Sequence, residues 1–415
     1  MGGTGNWAHH IEVEGLEAYG YGADQQNVGI STKCPSWSWH IHHNIIEGAG
    51  TGFYLGDSNG EEPFVDGIIE YNLITNTVRY NGQIKHQNVN TRDLGIGMPA
   101  SAKTIIRYNV LSKAQNASGG GSARPNLLVG NFPASGNGST DHYEIYGNFL
   151  FQNPTEGLFQ ATGNVAFYDN VLFNSLGGWG ISIQTHNGFQ PCDIDVFHNT
   201  LLVSGGTGLS FSGLNVTFTQ RAWANAIFAP TQISGSPDVS GNITGVYNQA
   251  ANSLKASSLP LSTMDLTSLM SALQITVISL STFSAYADYD LDFEGEQRDG
   301  TFAGAYFGAD PTSWQLALEI RPEVTSEVIT SAKFDLGSSS IELYPCPATD
   351  EVIIDGLLGD FNIYVLDANG MIHQNLNSSG TSLTLDITSL PSGVFFISIQ
   401  NKAIGLLHVE TLIKS

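Results

Sequence analysis

Short runs of alternating apolar and polar residues recur through most of the chain. Examples are Gly52-Phe53-Tyr54-Leu55, Ile181-Ser182-Ile183-Gln184 and Leu209-Ser210-Phe211-Ser212. Alternation with a period of two predicts strands with one buried face, and the Gly, Asn and Asp residues that bound the runs favour turns. No amphipathic stretch reaches the roughly 12 residues that a helical repeat would need. The pattern therefore predicts an all-β fold.

An asparagine followed by two mostly apolar residues recurs in the same region. The repeated asparagines are Asn44, Asn72, Asn109, Asn148, Asn170, Asn199 and Asn225. They are separated by steps of 28, 37, 39, 22, 29 and 26 residues, and periods of about 20 to 50 residues are typical of solenoids. Asn tolerates the left-handed backbone conformation and bonds to neighbouring backbone groups, so we expect one at each coil corner, with the side chains bonded along the stack. A parallel β-helix is predicted.

Two phrases resemble the repeats of right-handed parallel β-helix proteins. They are Trp37-Ser38-Trp39-His40-Ile41-His42-His43-Asn44-Ile45-Ile46 and Phe197-His198-Asn199-Thr200-Leu201. The stretch from Asp288 to Arg298, with Gly304-Ala305-Tyr306, is similar to the strand that closes many such domains. The resemblance covers 8–309 and implies a right-handed solenoid. It implies no single activity, because this architecture hosts lyases, hydrolases, esterases and adhesins.

The C-terminal part of the chain contains three further alternating segments, at 351–354, 361–366 and 393–399. Turn signals separate them, which predicts a small β-sandwich. The tail resembles the C-terminal sorting domain of the Bacteroidota type IX secretion system. The matching phrases are Tyr344-Pro345-Cys346-Pro347-Ala348, Leu383-Thr384-Leu385-Asp386-Ile387, Leu390-Pro391-Ser392-Gly393-Val394-Phe395-Phe396 and Leu412-Ile413-Lys414. The resemblance implies export by the type IX machinery and a secreted, extracellular or outer-membrane-surface location, although Cys346 stands where the family usually has Asn.

Three segments are expected from these observations: a β-helix at 1–309, a linker at 310–338 and the sorting domain at 339–415. The chain begins without a cationic and apolar leader, and it begins inside what reads as a coil. An uncapped solenoid end would expose apolar surface. We therefore expect the chain to be an N-terminally truncated part of a longer precursor.

Composition excludes several classes of protein. The 415 residues include 15 Lys and Arg against 38 Asp and Glu, for a formal net charge of −23. This charge argues against a nucleic-acid partner, and no apolar run reaches the roughly 18 residues of a transmembrane helix. The three cysteines, Cys34, Cys192 and Cys346, are too few and too scattered for a disulfide framework or a metal motif.

The basic residues are concentrated in one part of this acidic chain. Seven of the 15 are Arg79, Lys85, Arg92, Lys103, Arg107, Lys113 and Arg124. A basic groove at the surface would suit an acidic polysaccharide such as a uronic-acid polymer. The alternative is that these cations neutralise nearby carboxylates, such as Glu61, Glu62 and Asp66.

The phrase Gln83-Ile84-Lys85-His86-Gln87-Asn88 carries the sharpest chemical prediction. If Ile84 points inward, alternation sends Gln83 and Lys85 outward. β-Elimination of a uronate needs a group that neutralises the carboxylate, a base for the C5 proton and an acid for the leaving oxygen, and a Lys among cations has a lowered pKa. We predict Lys85 as base, Arg124 as neutraliser or acid and His86 in support. The residues predicted to bind substrate are Gln83, Gln87, Arg107, Asn126, Tyr54, Gln184 and His186.

The spacing of Lys85 and Arg124 resembles that in β-helix lyases of the alginate and chondroitin type, which use a Lys on one coil and an Arg on the next. The family's Arg-His-Gly phrase is replaced here by Ala123-Arg124-Pro125, and 75–83 lacks the acidic calcium ligands expected before the Lys. No cofactor is assigned, with Ca²⁺ left open. No metal ligands are predicted either, because alternation separates His43 from His40 and His42 and favours hydrogen bonding at the corner.

Three functions stay open on the sequence alone. The favoured one is a polysaccharide lyase that uses the region of Lys85 and Arg124. The second is a non-catalytic carbohydrate-binding or adhesive surface protein, and the third is a glycoside hydrolase with an Asp pair, such as Asp193 with Asp195 or Asp169. Convergence of Lys85 and Arg124 in an open groove would favour the lyase, whereas burial of these residues or pairing with carboxylates would favour the binding protein.

Overall fold

The structure, a computed structural model, describes residues 7–22, 24–308, 313–324, 342–357, 360–367, 371–401 and 407–414. The chain forms two compact units, Met1–Val328 and Ile329–Ser415. Most of the expected linker, 310–312 and 325–338, lies outside the described residues. Its described part, 313–324, packs on the first unit, where Trp314 and Leu316 share an apolar cluster with Phe149.

Three long parallel sheets form the first unit. Sheet A contains Glu12–Glu14, His40–His42, Ile68–Glu70, Lys103–Arg107, His142–Tyr146, Gly163–Tyr168, Pro191–Phe197, Gln220–Trp223 and Asp238–Ser240. Sheet B contains Glu17–Tyr19, Ile45–Glu47, Leu73–Thr75, Val110–Ser112, Phe149–Phe151, Val171–Asn174, Thr200–Val203, Ala226–Phe228 and Ile243–Gly245. Sheet C contains Val28–Ser31, Thr51–Leu55, Gly82–Ile84, Leu127–Val129, Phe159–Ala161, Ile181–Ile183, Thr207–Phe211 and Thr231–Ser234.

Each turn of the chain visits sheets A, B and C in that order, so neighbours within a sheet come from successive coils. This is a parallel β-helix, as the sequence predicted. The smaller elements are a parallel sheet of Ala8–His9, Ser36–Trp37 and Phe64–Val65, an antiparallel pair of Leu254–Ala256 and Asp265–Ser268, and 3₁₀ turns at Leu94–Ile96, Gly120–Ser122, Tyr247–Asn252, Leu261–Thr263 and Leu280–Phe283.

The interior of the solenoid is a stack of apolar side chains contributed by alternate strand positions. On sheet A these are Ile41, Ile69, Ile106, Ile145, Phe167, Val196 and Ala222, all fully or almost fully buried. Similar rows from sheets B and C complete one continuous cluster. Because one position of each strand faces inward and its neighbours face outward, the coil buries a core while presenting polar rows on each face.

The repeated asparagines form a ladder at the corner between sheets A and B. Each side-chain Nδ2 donates to Oδ1 of the next Asn at 2.9 to 3.1 Å, from Asn44 to Asn225. An eighth member, Asn242, accepts the bond from Asn225. The seven amides from Asn44 to Asn225 are buried and paired at both ends, which is the state that a buried polar group requires.

The left-handed residue at this corner is the one before each Asn, contrary to expectation. The φ angles are 53° at His43, 51° at Tyr71 and 57° at Tyr108. Asn is present for its amide, which both donates and accepts along the stack, while the preceding residue makes the sharp bend.

The second unit is antiparallel. One sheet contains Glu342–Tyr344, Glu351–Asp355 and Ser382–Asp386, and the other contains Phe361–Asp367, Ile372–Ser378, Gly393–Asn401 and Leu407–Lys414. Both contribute to one apolar cluster, which includes Val352, Leu385, Ile363 and Ile397. Two sheets around a shared core form the small sandwich that the sequence predicted.

Candidate functional site

The outer face of sheet C carries one side chain per coil in a row along the solenoid axis. The strand register places Tyr54 beside Gln83, Gln83 beside Leu128 and Leu128 beside Gln160. Ser182 follows Gln160 on the next coil. Neighbouring strands lie about 4.8 Å apart, so these side chains form a continuous surface.

An open groove of about 560 Å³ lies over this row. Six residues predicted from the sequence line it: Tyr54, Gln83, Lys85, Arg124, Gln184 and His186. Sequence reasoning missed Gln160, Tyr80 and Glu156, which also line the groove. Gln160 occupies the same outward-facing strand position as Gln83. An alignment of the coils could therefore have predicted it. Tyr80 and Glu156 lie outside the strands, where the repeat gives no register.

Lys85 reaches the groove because it extends the strand Gly82–Ile84. Its backbone N–H donates to the Leu55 carbonyl at 2.9 Å, and Ile84 before it is fully buried, so the Lys85 side chain points outward. The ammonium lies 5.9 Å from the centre of the Tyr54 ring. Burial lowers the pKa of Lys85, and the charge of Asp57 opposes this shift. A lowered pKa increases the fraction of neutral amine that can accept a proton.

Arg124 lines the same groove and follows the turn Gly120–Ser122. Its Nη1 donates to the carbonyls of Gly121 and Ala123 at 3.1 and 2.6 Å. The guanidinium carbon lies 5.9 Å from the centre of the Tyr80 ring. Within the described part of the chain, neither Arg124 nor Lys85 has a carboxylate within ion-pair distance.

The charges of Lys85 and Arg124 both affect the pKa of His186. Burial lowers its pKa, and the charges of Lys85 and Arg124 lower it further. The Gln160 amide Nε2 lies 3.2 Å from His186 Nδ1, which can accept its hydrogen bond. These effects favour the neutral imidazole near pH 7.

The pKa of Tyr54 is shifted upward, whereas that of His186 is shifted downward. Burial raises its pKa to about 12, and the nearby Asp57 contributes in the same direction. Its phenol therefore stays protonated at neutral pH and can act as a proton donor.

Four predicted residues do not line the groove. His86 packs against Gly60, and its ring centre lies 5.1 Å from that of Phe189. Gln87 is buried, where its Nε2 donates to the Phe64 carbonyl at 3.1 Å. Alternation ceases where the strand ends, so the positions after Lys85 do not continue the outward row.

The other two lie on different surfaces of the coil. Asn126 is fully buried at a corner, with Nδ2 at 3.2 Å from the Leu111 carbonyl. Arg107 lies on sheet A, where its Nε donates to Glu70 at 2.6 Å.

The basic residues do not form one patch. Lys85 and Arg124 line the groove, whereas Arg107 pairs with Glu70. Two further pairs are Arg92 with Asp141 and Lys103 with Glu144 at 3.3 Å. Carboxylates therefore neutralise Arg92, Lys103 and Arg107. Their ion-pair partners are not the Glu61, Glu62 and Asp66 that the sequence suggested. Residues that are near in sequence fall on different faces, because each coil passes through all three sheets.

Carboxylates are scarce in the groove. Glu156 is the only Asp or Glu among the described residues that line it. The three aspartates considered for a hydrolase do not line the groove: Asp169 pairs with Arg298 at 2.7 Å, Asp195 pairs with Arg221 at 2.6 Å, and Asp193 Oδ1 accepts a hydrogen bond from the Thr219 N–H at 2.8 Å. The groove thus lacks the two facing carboxyl groups of a glycosidase.

The tail identifies how the protein leaves the cell. Residues 342–414 match the family of secretion system C-terminal sorting domains. The protein is exported to the cell surface or the extracellular space. Its tail therefore interacts with the secretion machinery. No curated protein matches the chain. Among the described residues, none of the helices has the length and apolar character needed to cross a membrane.

Proposed function

We propose that the groove on sheet C binds an acidic polysaccharide and cleaves it by β-elimination. The observation that carries the proposal is that Lys85 and Arg124, which are 39 residues apart, line one open groove. Neither forms an ion pair with a described carboxylate, so no described carboxylate competes with an anionic ligand for either side chain. An extracellular location gives access to polymers too large to enter a cell.

The shape of the groove suits an extended polymer. Gln83 and Gln160 lie in one row along the solenoid axis with Leu128 between them, and Gln184 lines the same groove. Amide groups both donate and accept hydrogen bonds, which matches the hydroxyl groups of sugars. Because neighbouring coils lie about 4.8 Å apart, the row presents contacts along the length of a linear chain.

The chemistry assigns one role to each group. The Arg124 guanidinium neutralises the uronate carboxylate and so makes the C5 proton more acidic. Lys85 Nζ accepts that proton in its neutral form; the C4–C5 double bond forms as the C4–O bond breaks. The leaving oxygen takes its proton from the Tyr54 phenol, so that Arg124, predicted as neutraliser or acid, keeps only the neutralising role, and His86 has none because it lies outside the groove.

A non-catalytic binding role is the second candidate. The hydrogen bonds from Arg124 Nη1 to two backbone carbonyls favour this role, because they fix the position of the guanidinium. A guanidinium fixed there can bind a carboxylate of the polymer without taking part in bond cleavage. Under this alternative the groove retains the polymer, and Lys85 contributes charge alone.

The test measures the ultraviolet absorbance of unsaturated uronates with alginate, pectate, chondroitin and heparin, each with and without calcium. We expect a rise with one polymer that is lost in Lys85→Ala. Lys103→Ala is the matched control, because it removes one positive charge from sheet A, away from the groove. Absorbance that is equal in both variants would refute the role of Lys85.

Binding is measured on the same panel by retention on immobilised polymer. Retention without any rise in absorbance, weakened in Arg124→Ala, would support the binding function in place of the lyase. Absence of both retention and absorbance with every polymer would overturn the proposal.

A further inference from the structure

The start of sheet A carries a cluster of titratable side chains that the groove does not use. His40 and His42 occupy alternate positions of one strand and share its outer face. Their rings stack with centres 3.9 Å apart. The register places Glu12 of the preceding coil beside His40. The sequence could not show this neighbour, because 28 residues separate the two positions.

Glu12 brings a carboxylate oxygen to both imidazoles. Its Oε1 lies 2.9 Å from His42 Nε2 and 3.7 Å from His40 Nδ1. All three atoms lie within 4.8 Å of one another. Two ligand atoms bound to a tetrahedral Zn²⁺ at about 2.0 to 2.1 Å lie about 3.4 Å apart. The two measured separations bracket that value, and the third, between the two imidazole nitrogens, is below 4.8 Å.

The surrounding hydrogen bonds direct lone pairs toward this space. His40 Nε2 lies 2.7 Å from Glu70 Oε1, and because an ionised carboxylate only accepts, Nε2 is the donor of this bond and Nδ1 is the nitrogen that can bind a metal. His40 Nδ1 then faces the Glu12 oxygen with its lone pair. Arg107 holds Glu70 from the other side, with Nε at 2.6 Å from Oε2. A His whose second nitrogen donates to a carboxylate is the usual arrangement around a bound metal.

His42 can adopt the corresponding state. Its Nδ1 lies 2.9 Å from His43 Nδ1, and either nitrogen can be the donor. When His42 donates this bond, its Nε2 presents a lone pair to the same space as His40 Nδ1. Three acceptors then converge without a proton between them, which is unfavourable unless a cation lies among them.

We propose that Glu12, His40 and His42 bind one divalent transition-metal ion, with Zn²⁺ as the reference. Two imidazole nitrogens and one carboxylate oxygen favour zinc and its neighbours over Ca²⁺ or Mg²⁺, which prefer oxygen ligands alone. Glu12 belongs to one coil and both histidines to the next, so the ion links two coils. Glu12 is exposed, so the site is accessible to an ion from solvent.

The test is calorimetric titration of the metal-stripped full chain with ZnCl₂ at neutral pH. We expect one strong site, and an affinity lowered by more than about 100-fold in Glu12→Gln or His42→Ala, since loss of a ligand exceeds the 10- to 100-fold effect of an outer-shell partner. Glu12 is exposed, so Glu12→Gln tests the site without disturbing the core. Glu70→Gln should lower the affinity by about 10- to 100-fold.

Two controls separate this site from general binding by histidine. His142 lies on the same sheet and pairs with Glu144 at 2.9 Å, and His9 lies beside His10. His142→Ala and His9→Ala should leave the affinity unchanged. Co²⁺ gives a second readout, through visible absorbance that His40→Ala removes. A zinc affinity equal in the parent protein, Glu12→Gln and His42→Ala would overturn the proposal.

Discussion

Lys113 Nζ donates a hydrogen bond of 2.6 Å to the backbone carbonyl of Arg124, from a position with no exposed surface. The buried ammonium therefore supports the wall of the groove from within. Burial lowers the pKa of Lys113 to about 7, far below its value in an unfolded chain.

Lys113 should make folding stability increase with pH above neutrality. Between pH 7 and pH 9 the unfolded state binds this proton and the folded state releases it, so the free energy of unfolding should rise by about 2 kcal/mol from this group. Urea unfolding of the parent chain and of Lys113→Met at both pH values measures the difference. An identical pH dependence in the two proteins would contradict the prediction.

Replacing an Asn at the centre of the ladder should lower the free energy of unfolding more than replacing one at its end. Asn148→Ala removes the acceptor of the Asn109 backbone N–H and the donor to the Ile106 carbonyl, both at buried residues. Each unsatisfied buried group costs about 1 to 3 kcal/mol, so the variant should lose at least about 2 kcal/mol of unfolding free energy. Asn242→Ala at the less buried end is the control, and denaturant titration should show a smaller loss there.

Glu156 should weaken the binding of polyanions. It is the groove's one described carboxylate, so Glu156→Gln removes a repulsive charge and should raise the affinity for an acidic polymer several-fold at low salt. The gain should shrink as salt is added, because added ions screen the charge. Binding isotherms at two salt concentrations measure this, with Glu61→Gln as the control outside the groove. An unchanged or lowered affinity would count against an anionic ligand.

Asp57 should set the pH at which Lys85 acts as a base. Its negative charge raises the pKa of Lys85 against the lowering effect of burial. Asp57→Asn should therefore lower that pKa and shift the rising limb of the pH–rate profile for elimination to lower pH. Initial rates across the pH range, compared with Glu61→Gln, measure the shift. A shift to higher pH would show that Lys85 is not the base.

The repeat itself determined the fold. Alternation and the seven recurring asparagines predicted the parallel coils and the ladder, because both depend on local rules: one side chain in and the next out, and one amide at each corner. The same reasoning placed Gln83 and Lys85 outward, since Ile84 between them had to be buried. The sorting domain was also predictable from the sequence, because its phrases match those of the family in the same order.

The tertiary structure decided which outward residues meet. Alternation separates inside from outside but does not distinguish the three outer faces, and coils of unequal length prevent the face from being counted along the sequence. Lys85 and Arg124 reach sheet C together across the longest insertion, whereas Arg107, from the same basic cluster, lies on sheet A with Glu70. Glu12 joins His40 in the same way, through the stacking of coils. Such contacts arise from register between strands that are remote in sequence, and the sequence of one strand does not specify that register.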